Sequence, residues 1–266
     1  MSTNISFAGS IPENYDRYLG PLLFEPYAKD LIERISSRKF SSVLELACGT
    51  GRVTQYLIVS QPDAKIIATD VNPDMLEIAK KKVTGKNIEW KQADMQEIPF
   101  DDSSFDLIIC QYGVMFVPDK VKAYKEVYRV LKPGGVFLFN TWEKLESNEV
   151  VYTAEQIVNS FFKENPVGFY KIPFSYFDEE DIRKELEEGG FKNLSFTRVQ
   201  KEGVCDTAEN AAKGLVEGVP AINAINERDP KLLPVIEKEL AATYTKKFGD
   251  KPMRSPLNAI VVEAVK

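Results

Sequence analysis

A glycine-rich turn after an apolar run is the first feature that could do chemistry. Residues 43–46 lead into Gly49 and Gly51, and a helical segment follows. Two glycines allow a ligand to lie against bare backbone, and amides at a helix start can bind carboxylate or phosphate. A dinucleotide fingerprint requires a third glycine three positions after the second, where Thr54 stands. The turn therefore predicts a ligand site but disfavours a nicotinamide or flavin dinucleotide, and a purely structural tight turn is the alternative.

Two acidic residues follow the next two apolar runs. Asp70 ends one run, and Asp94 with Met95 follows the next. A carboxylate at the first position can accept both hydroxyls of a ribose, and one at the second can accept the exocyclic amine of an adenine. The thioether of Met75 or Met95 can pack on the adenine ring. Helix capping or turn formation is the alternative for each acid taken singly.

The chain contains no histidine. This excludes Ser-His-Asp and Cys-His relays, His-ligated zinc and an imidazole general base. Any proton transfer must use a carboxylate, a tyrosine, a lysine, a cysteine or water, and no catalytic residue can be singled out. Cys48, Cys110 and Cys205 are far apart and odd in number, which predicts free thiols in a reducing compartment. No acidic cluster has metal-site partners, so no metal is expected.

The elements that must position these residues alternate between short apolar runs and helical segments. The alternation over residues 39–142 predicts a parallel α/β sheet, which two later strands close. The predicted strands are residues 42–47, 65–70, 88–93, 105–110, 136–142, 191–199 and 257–265. Because parallel strands present their carboxyl ends at one edge, the glycine turn and both acids are expected side by side.

Helix boundaries are marked by capping residues. Asn72, followed by a proline, predicts an N-cap, and Asp119 is predicted to open a second helix. The Lys-Pro-Gly-Gly sequence at 132–135 should end that helix and turn the chain into the strand 136–142. Further helices are predicted for residues 154–162, for 178–188 with Asp178 as the cap, and within 206–248, where Leu233, Ile236, Leu240 and Tyr244 have core-facing spacing.

On these residues the chain resembles class I S-adenosylmethionine-dependent methyltransferases, in particular the ubiquinone and menaquinone biosynthesis subgroup. The match covers roughly residues 43–139 and rests on the glycine turn, Asp70, the segment 93–100 and the turn 131–135. The resemblance implies a Rossmann-like, mostly parallel seven-stranded sheet with helices on both faces and a helical cover. It also implies in-line transfer of a methyl group to a small, partly apolar or aromatic molecule.

The resemblance further assigns roles around the cofactor. Gly49 and Gly51 would line its methionine part, Glu45 would lie near its amino group, and Gln111 would border its sulfonium. Ala47 stands where the family often has glycine, which the end of a strand should tolerate. The expected cofactor-binding residues are Tyr18, Glu45, Ala47, Gly49, Gly51, Arg52, Asp70, Val71, Met75, Asp94, Met95 and Gln111.

Aromatic residues predict where the acceptor binds. Tyr15 and Tyr18 resemble the segment that folds over the cofactor in this family, where a cation-π contact would stabilise the sulfonium by roughly 0.5–2 kcal/mol. A hydrophobic staple for the first helix is the alternative. Seven aromatic residues lie within residues 161–177, against 11% aromatic residues in the whole chain. They predict an apolar pocket wall, with a packing cluster or a homodimer contact as equal alternatives.

The chain of 266 residues is long enough for one or two domains, and we predict one methyltransferase domain over residues 1–266. Residues 39–142 would bind the cofactor, 1–38, 143–175 and 205–248 would cover the substrate, and 191–199 and 257–265 would close the sheet.

The formal charge of −6 disfavours nucleic acid as a partner. The absence of a signal-like N-terminus and of long apolar runs predicts a cytoplasmic protein without membrane insertion. An NAD-dependent oxidoreductase and a non-catalytic cofactor-binding module remain the alternatives.

Overall fold

The computed structural model describes residues 7–266. In this part of the chain, seven strands form one sheet in the order β3-β2-β1-β4-β5-β7-β6, with the bounds β1 Ser42–Leu46, β2 Lys65–Asp70, β3 Ile88–Gln92, β4 Phe105–Gln111, β5 Leu131–Trp142, β6 Asn193–Cys205 and β7 Met253–Val265. The first five strands pair in parallel, and β7 runs antiparallel to β5. The predicted mostly parallel seven-stranded α/β sheet is confirmed.

The helices follow the predicted capping residues closely. The Asn72 side chain accepts the N–H of Asp74 at 2.9 Å, and Asp178 accepts the N–H of Glu180 at 2.9 Å. The α-helices are α1 Ile11–Asn14, α2 Glu25–Ile35, α3 Thr54–Ser60, α4 Pro73–Lys82, α5 Lys120–Val130, α6 Glu149–Ser160, α7 Glu179–Glu188, α8 Ala208–Glu217, α9 Ala221–Arg228 and α10 Leu233–Phe248. A π-helical segment, Tyr15–Phe24, joins α1 to α2.

Several predicted bounds were wrong. β5 begins at Leu131 rather than at residue 136, because Leu131 already pairs with Phe105 and the strand bulges before the pair Leu107–Val136. Gly134, with a φ of 74°, permits this bulge inside the segment predicted to be a turn.

β1 and β3 end one residue earlier than predicted, and β4 ends one residue later. β6 begins two residues later than the predicted 191–199 and ends six residues later, β7 begins four residues before the predicted 257–265, and α6 is shifted from 154–162. The helical region 206–248 divides into α8, α9 and α10, in which Ile236, Leu240 and Tyr244 are buried and Leu233 is only partly buried. β6 was mispredicted because it lies at the edge of the sheet and carries many exposed polar side chains.

The described chain divides into two units. The sheet unit comprises Tyr27–Glu143, Tyr176–Val199 and Ala259–Lys266, and it contains β1 to β5. The helical unit comprises the described part of Met1–Pro26, Lys144–Ser175 and Gln200–Asn258. The predicted covering segment 143–175 agrees with the second of these segments within one residue. Residues 27–38, predicted to cover the substrate, belong instead to the sheet unit, and the third segment extends beyond 205–248 at both ends. The substrate-covering role of these segments stays a prediction.

Helices cover both faces of the sheet unit. On one face, Leu31 of α2 and Leu57 of α3 share a buried cluster with Leu107 of β4. On the other face, the Tyr124 ring of α5 packs against Phe137 and Phe139 of β5 at centroid distances of 6.1 and 6.0 Å. Because both faces are buried, polar side chains that must meet a ligand are confined to the ends of the strands.

The helical unit has a buried core of its own. The Tyr170 hydroxyl donates to the Leu215 carbonyl at 2.8 Å, and the Tyr244 hydroxyl donates to the Val150 carbonyl at 2.5 Å. Tyr170 belongs to the aromatic segment 161–177, so at least this ring contributes to packing. Within residues 7–266, no helix combines the length and the apolar character needed to cross a membrane.

Candidate cofactor site

The turn after β1 holds three residues in the left-handed backbone region. Ala47, Gly49 and Gly51 have φ angles of 51°, 54° and 78°. The sequence predicted Ala47 at the end of a strand. This was wrong, because β1 ends at Leu46 and Ala47 is the first residue of the turn. An alanine in this conformation costs about 1–2 kcal/mol, which explains why glycine is common at this position in the family that the chain resembles.

The two glycines of the turn serve different purposes. A Cβ atom on Gly51 would lie 3.1 Å from Val83 Cγ2 and 3.2 Å from Ala79 Cβ. Gly51 therefore allows the turn to pack against α4. A Cβ atom on Gly49 would meet nothing within 4 Å. Gly49 thus leaves open space beside the backbone, where a ligand could lie against it.

Asp70, at the end of β2, fixes this turn. Its Oδ2 accepts the N–H of Gly49 at 2.8 Å, and its Oδ1 accepts the N–H of Asn72 at 2.8 Å. Burial raises the pKa of Asp70, although the N–H groups of Asn72 and Gly49 stabilise its charged form. Asp70 is thus a turn residue, as one of its two interpretations predicted. Each carboxylate oxygen has a second lone pair, so the ribose interpretation stays compatible with this geometry.

Glu45 lies on β1 with only 2% of its surface exposed. Burial raises its pKa to about 8, and the charge of Asp70 adds to this rise. The Thr54 hydroxyl donates to Glu45 Oε2 at 2.6 Å, which opposes the rise. Thr54 was considered in the sequence only as a missing glycine. A threonine suits this position because its hydroxyl group donates a hydrogen bond to the buried Glu45.

Glu45 should make stability depend on pH. The folded chain keeps a proton on Glu45 up to about pH 8, whereas the carboxyl of the unfolded chain releases it near its ordinary pKa of 4.5. Between these values the folded state binds more protons, so the free energy of unfolding should fall as the pH rises, and then level off above 8. Urea unfolding at several pH values should show this fall in the wild type relative to Glu45→Gln.

A matched substitution at an exposed acid, Glu188→Gln on α7, should leave the pH dependence of the wild type unaltered. If the difference in unfolding free energy between the wild type and Glu45→Gln stayed constant from pH 5 to pH 9, the prediction that folded Glu45 keeps its proton up to about pH 8 would be wrong.

The predicted adenine segment begins where β3 ends, next to β2. The Ala93 N–H donates to the Asp70 carbonyl at 3.1 Å, which places the two acids on adjacent backbone segments. Asp94 is exposed, and its Oδ1 accepts the N–H of Gln96 at 2.8 Å. The apolar residues predicted here are Met75 and Met95, each 6% exposed, and Val71, which is 58% exposed.

The turn after β4 lies against the glycine turn. Gln111 ends β4, is half-buried and pairs with Asn140 of β5. A Cβ atom on Gly113 would lie only 2.5 Å from Ala47 Cβ and 2.7 Å from Cys110 Sγ. Gly113 therefore allows the turns after β1 and β4 to touch. Gln111 was predicted from the sequence and Gly113 was not, because a glycine two residues after a strand end does not by itself reveal its contact with Ala47.

Tyr112 and Asn140 complete this turn and were also missed. Tyr112 has a φ of 52°, and its ring stacks on Trp142 at a centroid distance of 3.8 Å. The fully buried Asn140 accepts the Tyr112 N–H through its Oδ1 at 3.0 Å. These contacts hold a non-glycine residue in the left-handed region at the edge where Gln111 is expected to meet the cofactor.

The structure shows the surroundings of three further residues that were predicted near the cofactor. Arg52 is half-buried in the glycine turn. Tyr18 belongs to the helical unit, where the Arg17 guanidinium lies 5.2 Å from its ring centroid. Tyr15 stacks on Phe24 in the same unit, at 4.7 Å between centroids. The cofactor contacts expected of Arg52, Tyr15 and Tyr18 stay predictions.

The cysteines near the turns are buried thiols. Cys48, Cys110 and Cys205 are free. Burial raises the pKa of Cys110 to about 12 and the pKa of Cys48 well above its ordinary value. Both sulfurs therefore stay protonated at neutral pH and serve packing. Among the described residues, no group of three or more cysteine, aspartate or glutamate side chains is placed to hold a metal ion.

Comparison with known proteins gives consistent matches. Residues 44–139 match a family model described as a methyltransferase domain. The demethylmenaquinone methyltransferase of Staphylococcus aureus is 31% identical over 206 residues, which cover 71% of this chain and 86% of that protein.

Solved structures share the fold. Haemonchus contortus phosphoethanolamine N-methyltransferase 2, crystallised with S-adenosyl-L-methionine, has a TM-score of 0.60 at 17% identity, covering 96% of this chain and 56% of that chain. A SAM-dependent methyltransferase from Aquifex aeolicus has a TM-score of 0.53 at 21% identity, covering 71% of this chain and 91% of that chain.

The chain belongs to the family of S-adenosylmethionine-dependent methyltransferases. It is an enzyme of methyl transfer, and its cofactor is S-adenosylmethionine. The predicted family, reaction and cofactor are confirmed, and neither an NAD-dependent oxidoreductase nor a non-catalytic module is favoured.

Proposed function

We propose that this enzyme methylates a small, partly apolar aromatic molecule of the quinone-precursor type. The observation that carries the proposal is the 31% identity to a demethylmenaquinone methyltransferase over 71% of this chain. That relative is named for an acceptor with an apolar aromatic ring system. The aromatic segment 161–177 supports the same acceptor class, because binding sites for such molecules are lined mainly by apolar and aromatic side chains.

We propose that the sheet unit binds the cofactor along its carboxyl edge. The open space beside Gly49 would take the methionine part near Glu45, Asp70 would accept the ribose hydroxyls, and the exposed Asp94 would accept the adenine amine. The proposed contacts on this unit are Glu45, Ala47, Gly49, Gly51, Arg52, Asp70, Val71, Met75, Asp94, Met95 and Gln111.

S-adenosylmethionine, when bound, would supply an electrophilic methyl group on a sulfonium, whose sulfur would leave as a neutral thioether. The protein's task is to hold the acceptor in line and to exclude water. Such positioning can contribute about 7–11 kcal/mol. A phenol or an acidic carbon also needs a base, and in a chain without histidine this is a carboxylate, a tyrosine, a lysine or water.

We further propose a cytoplasmic enzyme with one catalytic domain, in which the helical unit serves acceptor binding. The charge of −6 favours a small-molecule acceptor over nucleic acid. A homodimer is the expected alternative to a monomer if the aromatic segment forms a subunit contact.

A methyl-transfer assay tests the proposal. The enzyme is incubated with methyl-labelled S-adenosylmethionine and, separately, with a short-chain demethylated naphthoquinol, simple phenols, amines and tRNA. We expect label in the quinol or in a phenol. Label in tRNA or in amines alone would overturn the acceptor class, and calorimetry with S-adenosylhomocysteine would show whether the cofactor site is intact in the same preparation.

A further inference from the structure

One charged pair on α5 holds the segment that follows Asp94. Arg129 donates from Nη2 to the Ile98 carbonyl at 2.9 Å and from Nη1 to the Phe100 carbonyl at 2.8 Å. Glu126 Oε2 accepts the N–H of Ile98 at 2.9 Å. Two side chains one helical turn apart therefore bind three backbone groups of this segment, for which no regular strand or helix supplies partners.

The pair is itself rigidly joined. Arg129 donates from Nε and Nη2 to the two oxygens of Glu126, at 2.8 Å each, and from Nη1 to Asp102 at 2.9 Å. The hydrogen bond from Arg129 lowers the pKa of Glu126, so the carboxylate stays charged at neutral pH. A two-point bond of this kind fixes the direction of the guanidinium as well as its position.

The opposite end of α5 holds the same segment on the other side. Gln96 donates its backbone N–H to Asp94 Oδ1 at 2.8 Å, and its side-chain oxygen accepts the N–H of Asp119 at 3.1 Å. Asp119 is the N-cap of α5. The segment from Asp94 to Phe100 is thus tied to both ends of a single helix, and the position of the Asp94 carboxylate depends on that helix.

We infer that the Glu126–Arg129 pair positions Asp94 and thereby sets the preference of the enzyme for an amine over a carbonyl at position 6 of the purine. This inference rests on the proposed placement of adenine at Asp94. A carboxylate accepts a hydrogen bond from the amine but offers no proton to a carbonyl oxygen. The discrimination therefore depends on holding the carboxylate opposite that position, and Glu126 and Arg129 are positioning residues without contact to the ligand.

Calorimetry with two ligands tests the inference: S-adenosylhomocysteine and S-inosylhomocysteine, which has the carbonyl. We expect the wild type to bind the adenosyl compound roughly tenfold more tightly, and Arg129→Met to reduce that ratio to about twofold. Glu126→Gln should keep most of the ratio, because glutamine still accepts the Ile98 N–H. Arg129→Lys keeps the positive charge but not the two-point hydrogen bonding of the guanidinium, so this variant should lose part of the affinity ratio.

The matched control is Arg34→Met on α2. Arg34 bonds Asp30 at 2.7 Å and is 28% exposed, compared with 32% for Arg129. The ratio of the affinities of Arg34→Met for the two ligands should equal that of the wild type. If Arg129→Met, or Arg129→Lys should the former not fold, weakened both ligands by the same factor, the pair would be merely structural and the inference wrong. A wild type that binds S-adenosylhomocysteine without preferring it would overturn both the adenine placement and this inference, whereas failure of methyl transfer alone would concern only the proposed function.

Discussion

Replacing Asp70 with alanine should weaken the binding of S-adenosylhomocysteine about 100-fold or more. Each hydrogen bond to a charged acceptor contributes roughly 1.5–3 kcal/mol, and Asp70 is proposed to accept two from the ribose. The variant also removes the acceptor that holds Gly49 at 2.8 Å, so the turn beside the methionine part loses its anchor. Isothermal titration of the purified variant, at a temperature where circular dichroism shows it folded, measures the effect.

Two further variants separate the roles of Asp70. Asp70→Asn keeps one carbonyl oxygen as an acceptor and should bind with intermediate affinity. Asp74→Ala removes an exposed acid from the first turn of α4 and should bind as the wild type does. Equal affinities for the wild type and Asp70→Ala would show that the ribose does not lie at the end of β2.

Replacing Gly113 with alanine should lower the free energy of unfolding by about 1–3 kcal/mol, the usual range for overpacking a filled space. The new Cβ would lie 2.5 Å from Ala47 Cβ and 2.7 Å from Cys110 Sγ, so one of the two turns must move. Gly113 has a φ of −101°, which an alanine adopts easily, and the loss is therefore steric. Urea unfolding monitored by tryptophan fluorescence measures it.

A second substitution checks the cause. Ala47→Gly removes the Cβ that alanine at 113 would strike and relieves the left-handed Ala47, so it should restore part of the stability when combined with Gly113→Ala. Gly168→Ala is the control, because a Cβ there would meet nothing within 4 Å. Strictly additive effects of the changes at 47 and 113 would mean that the two turns do not press on each other.

The sequence was most informative where structure depends on neighbouring residues. The cap at Asn72 could be predicted because it binds the N–H of Asp74, only two residues away. The two acids could be placed at one edge because parallel strands end together. Gly113 could not be predicted in the same way, since its partner Ala47 lies in the turn after β1, far away in sequence, and no local pattern shows the contact.

Two other differences have equally physical reasons. Thr54 was compared with a glycine pattern, although its importance comes from a hydroxyl that bonds the buried Glu45. The long edge strand β6 was cut short because its side chains alternate between exposed and partly buried, and its polar end resembles a loop. In both cases the sequence showed the residue type, and only the fold showed its neighbour.

The protonated state of Cys48 and Cys110 matters for an enzyme that handles an alkylating reagent. Sulfur is a strong nucleophile only as the thiolate, and burial keeps both of these thiols neutral. Two cysteines can therefore border the edge proposed for the cofactor without capturing its methyl group themselves. We therefore expect the burial of these thiols beneath the two turns to keep the enzyme from alkylating itself.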